Sequence, residues 1–109
     1  MAEVAEKIKH PAFGLCLDVG HANCYSKVSC EEWFQTEKKY LKHIHLHDNK
    51  GDRDSHLQLG KGNISTTTVR KILQKKQIKT CTIECSTQEA VIASFYSAKE
   101  LLGNSFHVS

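Results

Sequence analysis

The amino-acid sequence predicts an α/β fold in which parallel β-strands alternate with helices. Three segments, over residues 13–18, 41–47 and 80–85, alternate apolar residues with polar or small ones, which is typical of strands with one buried face. Helical patterns separate these segments, and no connection has the short turn of a β-hairpin. Strands joined through helices pair in parallel with right-handed crossovers, so the pattern indicates parallel (β/α) units.

Length and composition indicate one small domain over residues 1–109, below the usual size of a closed (β/α) barrel. The net charge of +3 comes from scattered basic residues, so nucleic acid is not an expected partner. The sequence has no long apolar run and no signal peptide. We therefore expect a cytoplasmic protein that does not contact a membrane.

The first strand is expected over residues 13–18, after a short helix over 2–9. Asp18 ends this strand, and the turn that follows would swing His21 back over it. A carboxylate and an imidazole placed in this way can converge on one cation. The alternative for Asp18 is the N-cap of a helix.

The second strand is expected over residues 41–47, after a helix over 30–40 that Ser29 and Glu32 would open as a capping box. One face of the strand is apolar and the other carries three imidazoles: His43, His45 and His47. Such a face is unusual for a core and is typical of a ligand-binding site. A polar segment with solvated histidines is the alternative.

The third strand is expected over residues 80–85, between an amphipathic helix over 64–76 and a last helix over 88–102. Cys81 and Cys85 would share its helix-facing side at a separation of roughly 13 Å, which is too far for a disulfide. The chain has five cysteines without paired CxxC spacing. We expect all of them to be reduced and most of them to be buried.

A side chain that can bind metal lies at the end of each predicted strand: Asp18, His45 and Glu84. The loop after the second strand adds further oxygen and nitrogen donors: Asp48, Asp52, Asp54 and His56. Carboxylates and imidazoles together suit a divalent cation. The carboxyl ends of parallel strands lie side by side and form the site of (β/α) barrels, so the sequence predicts a metal site there.

These motifs resemble the xylose isomerase-like barrel superfamily, which includes sugar-phosphate isomerases and epimerases and the endonuclease IV type of AP endonuclease. Four segments carry the resemblance, in order and spacing: LDVGHAN over 17–23, HLHDNK over 45–50, DSHLQLGKGNI over 54–64 and TIE over 82–84. In the superfamily such motifs occupy the last three strands of an eight-stranded barrel. The resemblance therefore implies part of a TIM barrel, without the earlier strands.

The resemblance implies metal ligands at six positions: Asp18, His21, His45, Asp54, His56 and Glu84. It places His47 at a non-ligand position and Lys61 where an acidic residue is common. Glu84 is also the candidate catalytic acid or base, and Lys50 and Arg53 are candidates for binding a substrate phosphate or hydroxyls. The implied metal is Mn²⁺ or Zn²⁺, with Mg²⁺ or Co²⁺ as alternatives.

Three functions are compatible with these features. The first is a metal-dependent isomerase or epimerase of a small sugar or sugar phosphate. The second is a zinc phosphodiesterase acting on abasic DNA, although the sequence has no extended basic and aromatic surface for DNA. The third is an inactive piece or a subunit that a partner completes. Because three parallel strands cannot close a barrel, we expect a homo-oligomer or a complementing chain that pairs through the strand edges.

Overall fold

The computed structural model describes residues 2–8, 10, 14–75, 78 and 80–102. Within these residues the chain forms five helices and three strands, in the order α1 (Ala2–Ile8), β1 (Leu15–Asp18), α2 (Val19–Tyr25), α3 (Cys30–Glu37), β2 (Leu41–Leu46), α4 (Thr66–Leu73), β3 (Thr80–Ile83) and α5 (Gln88–Leu102). Three residues at the ends of predicted elements lie outside the described residues: Lys9, Phe13 and Lys76.

The strands form one parallel sheet in the order β1-β2-β3. Asp18 pairs with His45, and His45 pairs with Thr82 on the other side. The backbone N–H of Glu84 donates to the carbonyl of Leu46 at 2.9 Å, so Glu84 continues this pairing beyond β3. The prediction of parallel (β/α) units is confirmed, and the register brings the ends of all three strands to one edge.

The apolar face of the sheet forms the core together with the helices. Ile44 and Leu46 of β2 are fully buried, as are Val69 and Ile72 of α4. Burying an aliphatic side chain of this size stabilises the fold by roughly 1.5–3 kcal/mol. The opposite face of β2 carries histidines that remain partly exposed, so the alternation predicted for this strand is confirmed.

Helix α2 occupies the place where the sequence analysis expects a turn, with a helix capped by Asp18 as the alternative. The Asp18 carboxylate accepts the backbone N–H of His21 at 2.8 Å and caps this helix, so the alternative reading of Asp18 is confirmed. The segment is short and contains Gly20, which weakens a helical pattern. The cap and the burial of Val19 and Ala22 stabilise it instead.

The other helix boundaries follow their caps. Ser29 accepts the backbone N–H of Glu32 at 3.1 Å and opens α3 as predicted, but the helix ends earlier than expected, at Glu37. Helix α4 begins two residues later than predicted, because Ser65 accepts the N–H of Thr68 as its N-cap. Within the described ranges, none of the helices combines the length and apolar character that a membrane span requires.

All five cysteines are free, but the prediction that most are buried is wrong. Only Cys30 is buried, whereas Cys16 and Cys81 are exposed. Cys16 lies on the sheet face opposite the apolar one, and Cys81 lies on the outer strand β3. Cys85 is on the helix side as expected, since its Sγ is 3.4 Å from Ser94 Oγ of α5.

Candidate metal centre

Seven side chains that could bind a metal ion converge beyond the carboxyl ends of the strands, in two neighbouring groups. Within each group the donor atoms all lie within 4.8 Å of one another. The strand-end group consists of Asp18, His45 and Glu84, and the loop group consists of His21, His47, Asp54 and His56. All six ligands that the resemblance implies therefore lie together, and His47 joins them.

The strand-end group follows from the strand register. His45 lies on the central strand, with its Nδ1 2.7 Å from Glu84 Oε1 and 3.6 Å from Asp18 Oδ2. One imidazole is thus flanked by two carboxylates from the neighbouring strands. All three side chains remain partly accessible from the open side of the sheet, with exposed fractions between 17% and 33%.

The loop group is organised around Asp54. Its Oδ2 lies 3.0 Å from His21 Nε2 and 3.1 Å from His56 Nε2. Burial acts to raise the pKa of Asp54, but the hydrogen bonds from His21 and His56 outweigh it and the pKa is lowered. Asp54 is therefore a carboxylate held between two imidazoles, His56 of the loop and His21 of helix α2.

His47 is fully buried at the boundary between the two groups. Its Nε2 lies 2.7 Å from Asp18 Oδ1, and its ring stacks on His56 with a centroid distance of 4.0 Å. Its Nδ1 and Asp54 Oδ1 are 3.8 Å apart, and both atoms are buried without a hydrogen-bond partner. Both atoms can bind a metal ion, and two such buried atoms without a hydrogen-bond partner make this a candidate cation site, because buried polar groups are otherwise nearly always paired.

Asp18 connects both groups through its two oxygens. Oδ1 accepts hydrogen bonds from His47 Nε2 and from the His21 backbone N–H, at 2.7 and 2.8 Å. Oδ2 is turned towards His45 and the strand-end group. Burial acts to raise the pKa of Asp18, but the bonds from His47 and His21, together with the charge of these imidazoles, hold it at about 2. Asp18 is thus an oriented carboxylate at neutral pH.

His56 ties the loop to the end of β3. Its backbone has φ of 51°, in the left-handed region that few residues other than glycine adopt. His56 Nδ1 bonds to the carbonyl of Glu84, and the His56 carbonyl accepts the N–H of Ser86 at 3.1 Å. Burial acts to lower the pKa of His56, but its bonds to the Glu84 carbonyl and to Asp54 raise it overall.

Asp48, which the sequence pattern includes among the metal donors, has a different role. It is fully buried and its carboxylate accepts three backbone N–H groups, at 2.8, 2.9 and 3.2 Å, from Asn49, Gly60 and Ile64. A Cβ at Gly62 would lie 2.3 Å from Asp48 Oδ1, so only glycine fits beside this carboxylate. Asp48 shapes the loop, and Asp52 is an exposed residue outside both groups.

A third cluster, Cys16, His43 and His45, lies further along the same face of the sheet. Both ring nitrogens of His43 are already engaged by the hydroxyls of Thr80 and Thr82, the latter at 3.0 Å. A cation in this cluster would have to displace a threonine hydroxyl.

Lys50 and Arg53, the candidate substrate-binding residues, are exposed in the loop between β2 and α4. Their role stays a prediction.

The resemblance alone does not identify His47 as part of the centre. The alternation of residues 41–47 is the sequence signal for it, because it places His47 on the same face as His45.

Comparison with known proteins identifies relatives of this chain. A family model described as xylose isomerase-like TIM barrel matches residues 1–102. A D-tagatose 3-epimerase-like protein of known structure superimposes with a TM-score of 0.71 and 28% identity, over 91% of this chain and 39% of that one. The expected partial TIM barrel thus corresponds to part of a larger barrel-type protein.

Two curated relatives show similar levels of identity. A probable endonuclease 4 of Mycoplasma mobile is 34% identical over 80% of this chain and 35% of its own length. An uncharacterized protein of Methanocaldococcus jannaschii is 38% identical over 56% of this chain and 23% of its own length. The chain therefore spans about a quarter to a third of the length of these relatives.

Proposed function

Because the chain belongs to the xylose isomerase-like TIM barrel family, we propose that it is a metal-dependent domain that isomerises or epimerises a small sugar or sugar phosphate. The observation that carries this proposal is the strand-end group, in which an imidazole and two carboxylates meet at the carboxyl ends of three parallel strands. The superposition on a D-tagatose 3-epimerase-like protein supports it.

The side chains fit a divalent ion in both groups. Asp18, His45 and Glu84 would hold one ion, and the loop group would hold a second. Mixed nitrogen and oxygen donors favour Mn²⁺ or Zn²⁺ over Mg²⁺, which prefers oxygen alone, and Co²⁺ remains a substitute. A bound ion supplies polarisation of the adjacent carbonyl and hydroxyl oxygens of a sugar.

The residues of the chain itself would bind the sugar and move the proton. Glu84 lies 2.7 Å from His45 and is one-third exposed, so its carboxylate can take a proton from the carbon next to a sugar carbonyl and return it. Lys50 and Arg53 are exposed on the loop after β2, where they would contact a phosphate or hydroxyls.

The open sheet supports a proposal about partners. Strands β1 and β3 each have a second edge that no other strand of the described residues pairs. We infer that further strands, from a second copy or a complementing chain, cover these edges and supply the proton-transfer partner of Glu84.

The free cysteines support a reducing compartment such as the cytoplasm.

Hydrogen exchange tests the isomerase function. Metal-loaded protein is incubated with a panel of sugars and sugar phosphates in D₂O, and deuterium next to the carbonyl is followed by NMR. We expect exchange in oligomeric fractions but not in monomeric ones, and its loss in Glu84→Gln. Glu89→Gln, on the exposed start of α5, is the matched control. Exchange that survives in Glu84→Gln would contradict the proposed role of Glu84.

A second candidate function is phosphodiester hydrolysis at abasic sites in DNA. The adjacency of the two groups favours it, because paired metal ions clamp the attacking and leaving oxygens in such reactions. The probable endonuclease 4 of Mycoplasma mobile is the relative that supports it. Nicking of a labelled abasic duplex, without exchange on any sugar, would favour this function over the first.

A further inference from the structure

We infer that His47 is a fourth protein ligand of the loop group, binding a divalent cation through Nδ1 while its Nε2 orients Asp18. This inference rests on the metal dependence in the proposed function and goes beyond it. The resemblance places this position outside the ligand set, so the assignment comes from the geometry of this chain.

The ring of His47 has one orientation available. It is fully buried, and it stacks on His56 with parallel planes and centroids 4.0 Å apart. Gly20 of helix α2 covers its edge so closely that an added Cβ would lie 2.2 Å from His47 Nδ1. Packing therefore sets the plane of the ring. The 2.7 Å hydrogen bond between Nε2 and Asp18 Oδ1 sets the direction of Nδ1, because a ring turned over by 180° would lose that bond.

The protonation of the ring follows from its partner. His47 Nε2 lies 2.7 Å from Asp18 Oδ1, and an ionised carboxylate can only accept a hydrogen bond. Nε2 therefore carries the hydrogen. In a neutral imidazole the other nitrogen then has a free lone pair, which is how an outer carboxylate prepares a histidine to bind metal.

This lone pair faces a second unsatisfied acceptor. His47 Nδ1 is buried without a hydrogen-bond partner, and Asp54 Oδ1, 3.8 Å away, is also buried and unpaired. Two acceptors cannot bond to each other. A four-coordinate ion with metal–ligand bonds of roughly 2.1 Å keeps its ligand atoms roughly 3.4 Å apart, so a small adjustment would place both atoms on one ion.

The assignment separates the roles of the two groups. With His47, the loop group offers four protein donors, which is typical of a closed structural site. The strand-end group offers three and can leave a position open for a substrate. The loop-group ion would then hold the loop against β3, and substrate chemistry would belong to the strand-end group.

Zinc titration of the metal-free full chain tests the inference. His47→Gln retains an amide N–H that can donate a hydrogen bond to Asp18 from the position of Nε2. It has no atom at the position of Nδ1 that could bind a metal ion. His43→Gln is the matched control, because His43 lies on β2 shortly before His47 and belongs to neither the strand-end group nor the loop group. We expect two zinc ions per chain in the wild type and in His43→Gln, measured by calorimetry and native mass spectrometry.

In His47→Gln we expect one ion to remain and the other to bind more than 100-fold more weakly, beyond the range of about 10–100-fold typical of an outer-shell partner. Unchanged affinity for both ions would overturn the inference. A similar loss at both ions would also overturn it, since it would mean that His47 acts only by positioning Asp18.

A measurement on the wild type covers the case in which His47→Gln does not fold. Long-range ¹H–¹⁵N spectra distinguish protonated, free and metal-bound imidazole nitrogens. We expect His47 Nδ1 to become metal-bound when zinc is added, with the hydrogen of the ring on Nε2. An Nδ1 whose signal is unchanged by zinc would overturn the inference. Neither readout involves turnover, so an inactive chain that binds zinc through His47 would contradict only the proposed function.

Discussion

Replacing Gly20 with alanine should disrupt the candidate metal centre through a steric effect on His47. The added Cβ would lie 2.0 Å from His47 Cε1 and 2.2 Å from Nδ1, far inside van der Waals contact. His47 cannot retreat, because it is fully buried and stacked on His56. Either the ring or helix α2 must shift, and both movements break the 2.7 Å hydrogen bond between His47 and Asp18.

The expected cost can be worked out from three contributions. Overpacking a buried site costs about 1–3 kcal/mol. Loss of a hydrogen bond to a charged partner costs about 1.5–3 kcal/mol. Alanine in a helix is favoured over glycine by about 1 kcal/mol, which offsets part of this. We therefore expect Gly20→Ala to lower the free energy of unfolding by roughly 1.5–5 kcal/mol.

Urea denaturation, followed by circular dichroism and by the fluorescence of Trp33, measures this change. The same substitution in a His47→Ala background is the control, because the clash is then absent. There Gly20→Ala should stabilise the chain by about 1 kcal/mol, so the sign of the effect should reverse. A stabilising effect in the wild type, or equal effects in both backgrounds, would refute the reasoning.

Three further predictions concern pH, assembly and the cysteines. The pKa of Asp18 is about 2 in the fold against an ordinary 3.8, so the stabilisation from ionised Asp18 is present above pH 3.8 and lost as the pH falls towards 2. As the pH falls, the metal-free wild type should lose about 2 kcal/mol of unfolding free energy that Asp18→Asn does not lose. An equal dependence of the unfolding free energy on pH in the two proteins would contradict this prediction. Light scattering after size exclusion should show a dimer or larger complex with activity confined to it; a stable monomer that turns over a sugar would exclude this proposal. Peptide mapping should find Cys81 and Cys85 reduced, whereas a disulfide between them would be incompatible with the position of β3.

The parallel sheet could be predicted from the sequence because its signals are local. Period-two alternation marks the buried face of β2, and Ile44 and Leu46 are indeed fully buried. Because the strands are joined through helices and not through hairpin turns, they are expected to pair in parallel. Once the pairing is parallel, residues at strand ends such as Asp18 and His45 must meet, and they do.

The remaining features depend on tertiary contacts that a single sequence does not reveal. Helix α2 contains Gly20, which weakens the helical signal, yet that glycine is needed for the close approach of His47. Asp48 has the same chemistry as Asp54, and only the position of the backbone N–H groups around it makes it a structural residue. Cys16 has an apolar character, but it lies on the open face of the sheet and is exposed.

Crystals of the full chain grown with zinc, and anomalous diffraction at the zinc edge, test the two-site metal centre most directly. We predict two neighbouring anomalous peaks, one in contact with Asp18, His45 and Glu84 and the other within the loop group. The strand-end peak should vanish in His45→Ala, and it should persist in His56→Ala because His56 belongs to the other group. An absence of zinc at both groups, or a strand-end peak at full occupancy in His45→Ala, would contradict the proposed centre.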